Sequence, residues 1–271
     1  MPKRTKKITI IALVLYALLI TWHVFAAIKN DVKPQGTGLE SALYLFLSVQ
    51  PGGFHESVIV DLTEMALMSS AGAGFYLYLK NNNTFSNVQQ RINYFGFFKQ
   101  GIKHTFLGAV SLSLLTNLYE LILINWFYYP FVYKVKSAFL SNSGNTYFSS
   151  NSLVYIISYI ALAAIGWGIF ALLVFGIGLF VKKNALILTI GPITGLLLII
   201  LPILGSKGSK ALQVLSISSF FYTLISPGQE NSSVQYQPIN SILAYMLAVV
   251  IYLLIALVLI KLWQKQQVNK G

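Results

Sequence analysis

The chain has 271 residues, of which 56% are hydrophobic and only 10% charged, with mean hydropathy +0.68 and net charge +12. A soluble domain carries about 25% charged residues, so this composition excludes an ordinary soluble fold and predicts a polytopic membrane protein. Cysteine is absent, which excludes disulfides, thiolate zinc sites and cysteine nucleophiles. The basic residues sit in short segments beside apolar runs, without the aromatic interleaving of a nucleic-acid patch, so they read as topology signals and lipid contacts.

Lys3, Arg4, Lys6 and Lys7 precede an apolar run over residues 8–28. The run is about 20 residues long, enough to cross a bilayer, and lacks a convincing cleavage site, so it predicts a retained first span and not a signal peptide. Residues 29–56 are polar at both ends; their middle, 39–49, predicts a short helix on the outer surface before the Pro51-Gly52-Gly53 turn. The second span is expected over 57–79, with small residues from Ser69 to Gly74 that permit close helix contact.

From Lys80 to His104 the chain carries Lys80, Arg91, Lys99 and Lys103 and no acid. Phe85, Val88, Ile92, Phe95, Phe98 and Ile102 recur every three or four residues. One greasy and one cationic face result, the pattern of an amphipathic helix lying along the inner membrane surface. The third span follows at 105–128, then an outer loop with aromatic anchors at Trp126, Tyr128, Tyr129 and Tyr133. A fourth span over 153–181 is punctuated by Gly166, Gly168, Gly176 and Gly178, which predicts close packing, tilt or a break. Lys182-Lys183 turns the chain into a fifth span, 184–204, containing Pro192 and Pro202. Residues 205–240 form an outer excursion whose apolar part, 211–225, predicts a surface helix or helix pair, too short to span. The sixth span, 241–262, ends in a tail with Lys261, Lys265 and Lys270.

The sequence therefore predicts one all-α domain of six transmembrane helices. Of the 19 basic residues, only Lys29, Lys33, Lys134, Lys136, Lys207 and Lys210 fall in the outer segments, and none of the 7 acids falls in an inner one. That asymmetry places both termini in the cytoplasm.

Few residues offer chemistry. No P-loop and no H-E-x-x-H motif occurs, and His23, His55 and His104 fall on different levels or sides of the predicted topology, so neither a metal site nor a cofactor is expected. Asp61 and Glu64 share one face of the second span, and Asn117 and Glu120 one face of the third. Acids at such depth mark either a cavity for a cationic guest or groups satisfied by neighbouring helices.

Six spans with both ends inside, the basic amphipathic segment Phe85–His104 between spans two and three, and the apolar excursion Ala211–Pro227 with its SFFYTLISP stretch together resemble the permease subunit of an ABC-2 type transporter. The family often places an amphipathic helix before span one; here only a short basic segment stands there. The resemblance implies a subunit with no ATPase of its own. Its partners would be a cytosolic ABC ATPase and a second permease, identical or related. The setting would be the bacterial cell membrane, and the cargo an amphipathic, antimicrobial or cytolytic peptide. It gives Phe85, Val88, Arg91, Ile92, Phe95, Phe98 and Lys99 to ATPase coupling. Asp61, Glu64, Asn117 and Glu120 would line a substrate cavity. Two other readings compete: the substrate-binding membrane component of a vitamin-type importer, and a membrane protein with no transport role.

Overall fold

A computed structural model describes residues 3–30, 40–82, 85–137, 140, 149–205, 209–228 and 239–268; at residues 3–9, 85–95, 201–205 and 268 it describes the backbone alone. The described chain is helical, with no strand among the described residues. In order it forms α1 (Lys3–Asn30), α2 (Ser41–Val49), α3 (Val58–Asn81), α4 (Phe85–Phe127), α5 (Ser152–Gly178), a 3-10 turn (Asn184–Leu186), α6 (Ile187–Gly205), α7 (Lys210–Ser219), α8 (Phe221–Ile225) and α9 (Ser241–Val268).

Five of these, α1, α3, α4, α5 and α9, hold apolar stretches long enough to cross a membrane. The predicted fifth span, 184–204, corresponds to the 3-10 turn and α6, whose apolar stretch with described side chains, Asn184–Ile200, falls short of that length.

The centre of the bundle is α5. Of its apolar window 78% is buried by neighbours, against 28% in α1 and in α9, which leave most of their apolar surface uncovered. Its glycines explain how so many helices fit around it. A side chain at Gly166 would collide with the Leu224 carbonyl of α8, one at Gly168 with Phe106 of α4, one at Gly178 with Leu77 of α3; at Gly176 it would press on Ala256 and Leu259 of α9. The helix is continuous from Ser152 to Gly178, so the glycines serve packing and do not break it. Asn151 caps its start, accepting from the backbone N–H groups of Leu153 and Val154. Its other end is capped by a distant lysine: Lys80 Nζ donates to the carbonyls of Gly178, Leu179 and Val181 at 3.1, 2.8 and 2.7 Å. A cation there meets the negative end of the helix dipole and satisfies carbonyls that would otherwise lack partners.

Three expectations are corrected. The basic segment does not form a separate surface helix: α4 runs unbroken for 43 residues from Phe85 through the third span. No proline interrupts it, and Gly101 and Gly108 sit where α3 and α5 pack closely. The short helix α2 is not on the surface. Eight of its nine residues are buried: Ala42, Leu43, Leu45, Phe46, Leu47 and Val49 are apolar, and Ser41 and Ser48 are covered with them. The excursion after α6 is a helix pair, as expected, but only α7 exposes large apolar residues, Leu212 and Leu215. At Phe220 the backbone becomes extended and the chain turns inward. There Phe221 packs against Trp167 and Phe170, ring centroids 5.8 and 4.7 Å apart.

The two ends of the bundle differ. At one lie Lys80, Lys182, Lys183, Lys261 and Lys265; at the other Trp126, Phe127, Tyr129 and Tyr133 are exposed.

Candidate functional site

Asp61, Glu64, Asn117 and Glu120 are all buried. Glu64 lies six residues into α3 and Glu120 seven from the end of α4, which puts both about 10 Å in from the aromatic end at 1.5 Å per residue. They come close enough for their charges to interact, as do Glu64 and Asp61.

Each acid is held by a neutral donor from a different part of the chain. The Tyr16 hydroxyl of α1 donates to Glu64 Oε1 at 3.2 Å and lies 2.9 Å from the Thr116 hydroxyl of α4. Gln50, the residue that ends α2, donates its amide to Glu120 Oε2 at 2.7 Å. The other face of that amide accepts from the Tyr159 hydroxyl of α5 at 3.4 Å, and Tyr159 reaches Ser226 Oγ, just past α8, at 2.7 Å. Tyr222 of α8 donates to Asp61 Oδ2 at 3.2 Å. Burial, with the Asp61 and Glu56 carboxylates beside it, pushes the Tyr222 hydroxyl well above the usual tyrosine range and keeps it a donor.

Asn117 stands apart. Its amide N–H turns back to the Ser113 carbonyl at 2.9 Å, and its Oδ1 is buried with no hydrogen-bond partner. Among the described residues no basic side chain pairs with Asp61, Glu64 or Glu120, and the ion pair is Lys134–Glu40, at 3.7 Å near the aromatic end. Nor do three or more histidines and acids gather to hold a metal among the described residues. His23 and His55, expected far apart, meet: His23 Nε2 lies 2.8 Å from the His55 carbonyl.

The acids are thus closed inside the bundle, not lining an open outer surface. Their hydroxyl and amide partners knit α1, α2, α3, α4, α5 and α8 together at one level. Buried carboxyl groups need such donors, since an unsatisfied one costs several kcal/mol. Replacing Glu120 by Gln keeps an acceptor for Gln50 and is expected to leave stability near wild type. Glu120→Leu strands the Gln50 amide and is expected to cost about 1–3 kcal/mol, read as a lower thermal midpoint by tryptophan fluorescence in detergent.

The proposed coupling residues divide. The backbone from Phe85 to Phe95 is helical, but the side chains of Phe85, Val88, Arg91, Ile92 and Phe95 lie outside those described. Phe98 is 3% exposed, in a cluster with Phe97, Tyr76, Phe175, Ile260 and Trp263. Its ring meets Trp263 of α9 at 5.6 Å. The apolar stripe at this level faces the bundle, so Phe98 is core and offers nothing to a partner. Lys99 is exposed, with Gln100, Lys103 and His104 beside it.

Tyr16, Gln50, Tyr159 and Tyr222 carry no local signal in the sequence. Comparison with family models, curated proteins and solved structures finds no match for this chain.

Proposed function

We propose that this chain is the membrane-spanning permease subunit of an ATP-driven exporter of the ABC-2 type, working beside a second permease, identical or related, and a separate cytosolic ATPase. The supporting observation is the character of one end of the bundle. Lys99, Gln100, Lys103 and His104 form an exposed face on α4, with Lys182, Lys183, Lys261 and Lys265 exposed nearby. The described acids, Glu40, Glu56, Asp61, Glu64 and Glu120, lie towards the other end. By the positive-inside rule this basic end is cytoplasmic, and its charge complements an acidic docking surface on the motor. Phe98 and Trp263 brace α4 against α9, a rigid route for a push on α4 to reach the spans.

The cargo that fits is a cationic amphipathic peptide, which would meet Asp61, Glu64 and Glu120 when the bundle opens and replace their neutral donors with charge-assisted ones. The lipid-facing lengths of α1 and α9 leave room for the second permease.

Charge reversal at the basic face tests the docking. Lys99→Glu with Lys103→Glu is expected to insert and fold normally, because both side chains are exposed, yet to lower ATPase co-purification about tenfold. Undiminished co-purification would remove this face from the docking site.

A further inference from the structure

The helix α8 is one turn long, and a single isolated turn has no stability of its own. What seats it is contact with the bundle. Phe221, Leu224 and Ile225 are at most 1% exposed, and the Leu224 carbonyl lies against α5 where Gly166 has no side chain. Tyrosine hydroxyls fasten the segment at both ends. Tyr222 donates to Asp61 of α3, and Tyr159 of α5 holds Ser226. Tyr155 donates to the Gly228 carbonyl at 3.3 Å, and Tyr252 of α9 donates to the Ser219 carbonyl at 2.8 Å. Non-helical joints flank it: Phe220 is extended, Ser226 has φ −131° and ψ 60°, and Gly228 has φ 73°. One group is unsatisfied in this seat. The Thr223 hydroxyl is buried without a hydrogen-bond partner, and water would satisfy it if α8 moved out.

We propose that α8 is a hinged plug, latched into the bundle by the Tyr222–Asp61 and Tyr159–Ser226 hydrogen bonds and released by turning about Phe220 and Ser226. Its seat is linked to the end of α2, since Tyr159 also holds Gln50. Tyr222 is the donor to Asp61, so opening of the plug uncovers Asp61. The proposal needs no motor protein and stands apart from the ATP-driven reading.

The absence of cysteine makes the test direct. Leu224→Cys, or Thr223→Cys as a substitution of similar size, is placed in the full chain in nanodiscs and titrated with a membrane-impermeant maleimide. The expected result is slow labelling, accelerated about tenfold by Tyr222→Phe and by Tyr159→Phe, the loss of roughly one hydrogen bond each. Asp61→Asn, which keeps an acceptor for Tyr222, is expected to stay slow. Tyr245→Phe, which removes a hydroxyl bonded to the Leu162 carbonyl of α5 and not to α8, is expected to have no effect. A Met68→Cys reporter in the same core is expected to stay unlabelled throughout. Labelling that ignores the Tyr222 and Tyr159 changes overturns the proposal. So does Met68→Cys labelling that rises in step, since the bundle would then be opening as a whole.

Discussion

Replacing Gly72 with alanine is expected to abolish most folded protein. Gly72 is a point of close approach between α3 and α4. A methyl group built there meets the His104 carbonyl and the Thr105 backbone, with the His104 carbonyl carbon 2.6 Å away. These are backbone atoms of a continuous helix, so no rotamer change relieves the clash and the two helices must separate. On the opposite side of the contact Gly108 is also tight, though less so: a methyl group built there would lie 3.1 Å from the Gly72 nitrogen. Separation also loosens the level at which Glu64 and Glu120 meet their donors. The expected cost is about 3 kcal/mol or more, at the upper end of overpacking effects. Gly74→Ala is the control. Its nearest neighbour is Ser70 Cβ of the same helix at 3.8 Å, so the change is expected to be neutral or to gain up to about 1 kcal/mol of helix propensity. The measurement is the monodisperse fraction on size exclusion after extraction in mild detergent. Equal yields for the two variants would show that the α3–α4 contact is not this close.

Phe98→Asp is expected to be nearly as severe, and for a reason the sequence hides. Read along the chain, Phe98 belongs to a stripe suited to receiving a partner. In the fold that stripe is spent internally. Phe98 stacks edge-on with Phe97 at 5.6 Å and with Trp263 at the same distance. Aspartate in that place removes the aromatic contacts and buries a charge in a cluster of apolar and aromatic side chains. The expected loss is about 3–5 kcal/mol. Phe98→Leu keeps most of the packing and is expected to cost under 1.5 kcal/mol. Thermal unfolding in detergent followed by tryptophan fluorescence distinguishes them. If Phe98→Asp folded with an unchanged midpoint, the ring would be a surface group and its assignment to docking would return.

Five of the six predicted spans were legible as helices long and apolar enough to cross, because that is a local property announced by about twenty apolar residues. Small residues at Ser69–Gly74 and the glycines of α5 likewise announced close packing, though not which neighbour each would meet. Burial of the short helices was not legible. The apolar residues of α2 and α8 suit the membrane surface as well as the bundle interior, and only the space left by α1, α4 and α5 decides. The acids were found by depth alone, but their partners were not. Glu64 is satisfied by a tyrosine 48 positions away and Glu120 by a glutamine 70 positions away, each an unremarkable residue in its own segment. Lys80 misled for the same reason. Beside Arg91 and Lys99 it reads as one more surface cation, while its ammonium closes the end of a helix that begins over seventy residues later.

The central claim, that this is a transport subunit driven by a separate motor, is tested most directly by purifying the tagged full chain from its own membrane in mild detergent and identifying every stoichiometric companion. The account predicts an ATP-hydrolysing subunit bound directly to this chain, released by Lys99→Glu with Lys103→Glu and retained by Glu120→Gln. A well-folded chain that comes away with no ATPase, or with one held only through an intermediary membrane scaffold, would contradict it.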